Sequence, residues 1–136
     1  MTKGDTTEND ALKCILKGID PAWRANANLY VALHTADPGE AGTQLTNEGT
    51  VYTNYARQPI VKATGWTDAG SEFSNAALIQ FPVCGASGAT ITHVSIGTLE
   101  TGAGQILYSG ELSAPLSVAL NIQPQFAIGA LKVQED

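Results

Sequence analysis

Positive charge is scarce in this sequence. Seven lysines and arginines stand against thirteen acidic residues, for a net charge of −6, and the seven form no cluster. Direct nucleic-acid binding is therefore not expected, because neutralising phosphates takes grouped Lys and Arg. An acidic surface suits solubility, or docking on a basic protein. Cysteine is confined to Cys14 and Cys84, with no CxxC and no Cys/His ligand spacing, so two free thiols are expected. Long apolar runs are missing. No stretch approaches the roughly 20 residues of a membrane helix, and no apolar run follows Met1-Thr2-Lys3-Gly4-Asp5, so neither a span nor a leader is expected.

Groups that carry chemistry are also few. His34 and His93 are the only histidines, and each lies on a strand pattern. Catalysis or metal binding would need a nucleophile or a third ligand beside them, and Asp37 is separated from His34 by the end of its strand. Glu40, Glu48, Asp68 and Glu72 match neither a calcium loop nor a paired-carboxylate site. The glycines from Gly97 to Gly104 precede neither a helix nor a lysine, which points to a hairpin turn rather than a phosphate cradle. The expectation is a non-enzyme with no cofactor and no metal.

What is present is β-pattern. The chain has 136 residues, 43% hydrophobic and only 15% charged, with 14 glycines. That length suits one domain, and the composition suits close-packed strands. Leu29 to Thr35 alternates, with Leu29, Val31 and Leu33 on one face, and Asp37-Pro38-Gly39 ends it. A long loop follows from Ala36 to Thr50, then a short edge segment from Val51 to Tyr55. A strand over Tyr55–Lys62 is placed at an edge, or at a strand start, by Pro59. Further strands are expected at Gly65–Asn75 (a short pair), Leu78–Val83, Thr90–Gly97 and Gln105–Leu112. The strict alternation of Leu116, Val118, Leu120 and Ile122 predicts another, and Phe126 to Val133 one more with a bulge at Gly129. Tyr30, Tyr52, Tyr55 and Trp66 could stack on sugar, but core packing is the better reading of them. The fold class is all-β: a two-sheet β-sandwich, jelly-roll-like, with a short N-terminal helix or arm.

The organisation read from this is residues 1–27 as arm and short helix, and 28–136 as the sandwich. Residues 1–7 are polar and expected to be loose. Thr7 is the expected helix cap, Leu12, Ile15, Leu16 and Ile19 recur at helical spacing, and Gly18 is the expected stop. The helix either lies over one open end of the sandwich or is an arm that packs on a neighbouring subunit; its apolar residues are surplus to a core built by the strands. Leu12, Ile15, Leu16, Ile19 and Trp23 are therefore the candidate interface, with Pro38, Glu40 and Leu45 of the long loop as a second contact.

The ordered blocks LYVALHTADPGEAGTQLTNE, YARQPIVKATGW, FSNAALIQFPV, THVSIGTLETGAGQILYSGEL and NIQPQFAIGAL resemble small β-proteins encoded beside tailed-phage virion genes. Within that group the resemblance is to capsid cement, or decoration, proteins. It implies a structural virion protein made in the host cytoplasm, sitting on the capsid exterior and clamping major capsid protein subunits. The implied partners are the major capsid protein and a second copy of the chain, with a dimer favoured over a trimer. The alternative within the same resemblance is a tail-fibre or carbohydrate-binding β-module used in host recognition.

Overall fold

The computed structural model describes residues 1–48 and 52–135; the start of the expected Val51–Tyr55 edge segment, the end of the long loop and Asp136 lie outside the described residues. The elements in chain order are β1 (Thr2–Lys3), α1 (Asp5–Lys17), a 3₁₀ turn (Ala22–Ala25), β2 (Asn28–His34), β3 (Gln58–Val61), β4 (Trp66–Asp68), β5 (Glu72–Asn75), β6 (Ile79–Gln80), β7 (Thr90–Gly97), β8 (Ile106–Ser117), β9 (Gln125–Phe126) and β10 (Lys132–Gln134). They form three antiparallel sheets: β1-β8-β7-β2-β3, β10-β5-β4, and β6-β9. The fold is all-β and sandwich-like with one short N-terminal helix.

The five-stranded sheet is the frame. β2 and β7 are its central strands, in register from Tyr30 opposite Gly97 to His34 opposite His93. Val31, Leu33, Ile91, Val94 and Ile96 of these strands pack with Ile79, Phe81, Cys84, Val118 and Leu131 in one core. The two short sheets thus make the second layer over one face of the frame. Burying each of these aliphatic side chains contributes about 1.5–3 kcal/mol. Ile91 and Val94 cannot share a face in a regular strand, yet both are buried. A register shift between Ile91 and His93 changes the phase.

Several sequence expectations need correcting. Residues 2–3 are not loose: Thr2 and Lys3 pair with Ser109 and Tyr108 of β8. β8 runs on past Ala114-Pro115 to Ser117, but its pairing with β7 is interrupted there, passing from Glu111 opposite His93 to Leu116 opposite Ile91. The Leu116–Ile122 alternation does not continue as a strand. The chain turns at Asn121, whose φ is 69°, and Leu120 and Ile122 are exposed. Gly129, with φ 78°, sits in a turn between β9 and β10 rather than in a bulge. Val83 faces out while Phe81 and Cys84 are buried, because β6 ends at Gln80 and the chain beyond it is not pleated.

Candidate functional site

The first element of the site is α1, and the sequence explains its bounds. Asp5 and Glu8 lie in its first turn and Lys17 in its last, each favourable to the helix dipole. Gly18 takes the left-handed conformation, φ 65°. Its N–H donates to the Cys14 carbonyl and that of Ile19 to the Lys13 carbonyl, a closing motif that glycine makes accessible. The N-terminal expectation was wrong in detail. The cap residue is Gly4, with no side-chain cap, and its closeness to β8 demands a glycine: a Cβ there would lie 2.5 Å from the Ile106 carbonyl oxygen.

Thr7 does not cap the helix; it moors it. Its buried hydroxyl donates to the Ile106 carbonyl at 2.9 Å. Gln105 Nε2 donates to Thr7 Oγ1 and to Asp10 Oδ2, at 2.9 and 3.0 Å. The indole N–H of Trp23 also donates to Asp10 Oδ2, at 3.0 Å. Lys62 Nζ donates to the Arg24 carbonyl at 2.8 Å and lies 5.7 Å from the centre of the Trp23 ring. Trp23 is therefore half-buried, bracing α1 against the end of β3. With Thr7, Asp10 and Cys14 toward the body, Leu12 and the residues at i+3 and i+4 from it point away, and Ile19 follows the Gly18 cap. Leu12, Ile15, Leu16 and Ile19 are 58%, 77%, 76% and 52% exposed.

The second element is the loop after β2, and it packs back on the sheet. Asp37 Oδ1 accepts the Gly39 N–H at 2.8 Å, in the turn that the sequence announced. Of the predicted loop contacts, Glu40 and Leu45 are exposed and Pro38 is buried. The Glu40 carbonyl accepts the Asp5 N–H at 2.9 Å, and Thr43 bridges Gln105. The structure thus brings this part of the loop to the mooring of α1, with Gln105 common to both.

Sequence reasoning missed what holds the loop there. Gln44 is fully buried, its Oε1 accepting the Leu99 N–H at 3.0 Å. It fills the space left by Gly97 and Gly104, where added Cβ atoms would come within 2.1 and 1.9 Å of its amide. Glu48 and Arg57 form a buried ion pair with two contacts of 2.7 and 2.6 Å. Arg57 also donates to the carbonyls of Leu99 and Gly102, and Tyr55 donates to Glu48. Burial first, and then the Glu48 charge, push the Tyr55 phenol well above its ordinary range. Nothing in the spacing of Glu48 and Arg57 signals this pairing.

His34 is part of the same fastening. Its Nδ1 lies 2.8 Å from the Thr46 carbonyl, which can only accept, so Nδ1 carries the proton and Nε2 accepts from Ser95 Oγ at 2.7 Å. Burial pushes its pKa below the usual histidine value. His34 and Ser95 are each fully buried, and they tie the loop to β2 and β7. His93 bonds Thr92 instead. Among the described residues no group of three His, Cys, Asp or Glu side chains could hold a metal. Cys14 and Cys84 form no disulfide.

The aromatics divide. Tyr52, Tyr55, Phe81 and Phe126 make a chain of ring contacts through the core, with centroids 5.5–6.3 Å apart. Trp66 instead lines a cleft of about 450 Å³ between the sheets, with Leu29, Phe73, Tyr108 and Val133. At its mouth Glu135 accepts from Tyr108 and pairs with Lys3 at 2.7 Å. These two hydrogen bonds, that from Lys3 foremost, hold its carboxyl below the usual range.

Compared with known families, residues 3–134 match the podophage GP4 fiber I protein gp80 family. No curated protein matches the chain.

Proposed function

The chain belongs to the podophage GP4 fiber I protein gp80 family, and from that premise we propose that this phage virion structural protein is a fibre component, anchored to a neighbouring virion protein through α1. The family description favours the fibre alternative over the capsid-cement role that the sequence resemblance first implied. Both roles share the coarser reading of a structural protein of a phage virion.

One observation carries the anchoring role: a helix moored by its polar face and turning an apolar stripe outward. Leu12, Ile15, Leu16 and Ile19 are all more than half exposed, and each Å² of apolar surface removed from water contributes about 25 cal/mol. The mooring through Thr7, Asp10 and Trp23 fixes which way the stripe faces, so a partner meets a preformed surface. Glu40 lies beside the start of α1, its carbonyl accepting the Asp5 N–H.

The test uses side-chain substitution, because removing residues 1–27 would also strip β1 from β8. A phage lacking this gene is complemented with the wild-type chain or with the triple variant Leu12→Ser, Ile15→Ser, Leu16→Ser. The variant should fold, since none of the three supports the core, and purified virions should carry less than a tenth of the wild-type copy number. Wild-type occupancy would remove α1 from the attachment.

A further inference from the structure

Two long segments of the chain carry no charged residue, and Glu111 and Lys132 stand at their border, lining a cleft with Gln125, Phe126 and Ala130. The sequence holds no Asp, Glu, Lys or Arg from Phe73 to Leu99, nor from Leu112 to Leu131. The fold lays these two segments side by side. Ile79 and Gln80 pair with Phe126 and Gln125. The Phe81 N–H donates to the Pro124 carbonyl, that of Cys84 to the Ile122 carbonyl, and that of Val118 to the Ala89 carbonyl, each at 2.9 Å. Ile79, Phe81 and Cys84 point into the core from this ribbon, while Leu78, Val83, Leu120, Ile122 and Ile128 are 46%, 44%, 57%, 42% and 69% exposed. None of the ion pairs among the described residues includes a residue of either segment.

We infer that this uncharged face, formed by residues 76–89 and 118–130, is where two copies of the chain meet. Exposed apolar groups without charge among them are the composition of an interface core. The charge pattern identifies the occupant. A chain of net charge −6 repels its own copies, and a two-fold contact sets a patch against itself, like charge against like. A patch with no charge escapes that repulsion. A basic partner would instead be drawn to the acidic remainder of the surface. The polar groups on the face fit self-contact too. Gln80, Asn121, Gln123 and Gln125 each carry both donors and acceptors. Gln80 donates to Gln125 and Gln123 to the Phe81 carbonyl within the chain, and the amide groups left over, with Asn121, can pair with the same amides of a second copy. This contact is separate from the α1 stripe and does not depend on the fibre reading.

Sedimentation equilibrium of the full chain over a concentration series tests it, with Ile128→Lys and Leu120→Lys made separately and Leu12→Lys as control. Both face positions are more than half exposed, and circular dichroism checks that each variant keeps the wild-type spectrum. The wild type and the α1 control should sediment as dimers whose dissociation constant changes less than two-fold with added salt. Each face variant should lose the dimer. A monomeric wild type, face variants that keep the wild-type mass, or a control that alone dissociates would overturn the inference.

Discussion

Arg57 fastens the end of the loop after β2 to the β7–β8 turn. It and Glu48 are 3% and 5% exposed at the side chain, and it reaches the carbonyls of both Leu99 and Gly102. Removing one partner of such a pair leaves an uncompensated buried charge, which costs about 3–5 kcal/mol, whereas replacing both with apolar groups of similar volume is often neutral. Glu48→Gln is therefore expected to lower unfolding stability by about 3–5 kcal/mol, and the double variant Glu48→Leu, Arg57→Met to recover most of the loss. Urea denaturation of the three proteins measures it; equal losses in the single and double variants would show that the charge itself is not the cause. The pair was not legible in the sequence because ion pairing across a loop depends on where the backbone returns. Periodicity carries no record of that. The reverse holds for Val31 and Leu33, whose alternation announced the core directly.

Among the elements, the loop after β2 and the β7–β8 turn act as a lock and its seat. Gln44 occupies the room where Gly97 and Gly104 lack side chains. An added Cβ at Gly97 would sit 2.1 Å from the Gln44 amide carbon, and overpacking of this kind costs about 1–3 kcal/mol. Gly97→Ala should therefore destabilise the protein by that amount, and a second substitution, Gln44→Ala, should reverse much of the effect of Gly97→Ala in a double-mutant cycle. Additive losses would show that the two sites are not in contact. The elements also differ in how readable they were. β2 and β7 have a partner on each side, so their alternation and their pairing coincide. Leu116 to Ile122 alternates as regularly, but beyond Val118 its backbone groups go to a turn and to the Cys84 segment, and its apolar side chains face solvent. The helical stripe of α1 was legible from its spacing. Its outward direction was not, because polar residues, Thr7 and Asp10, choose the face that meets the body.

At the scale of the molecule, two exposed apolar surfaces stand on one acidic body. One is the α1 stripe; the other is the uncharged ribbon built around β6 and β9. A fibre component needs one contact for attachment and another for association with its own kind, and repetition of both multiplies weak contacts along an assembly. The membership in a fibre-protein family and the outward stripe together support the central proposal, that this chain is part of a fibre of the virion. The most direct measurement is a difference map by electron cryo-microscopy between wild-type virions and virions assembled without this protein. The account predicts that the lost density is fibre density, with the capsid lattice unchanged; density lost instead from a regular array over the capsid surface would contradict it.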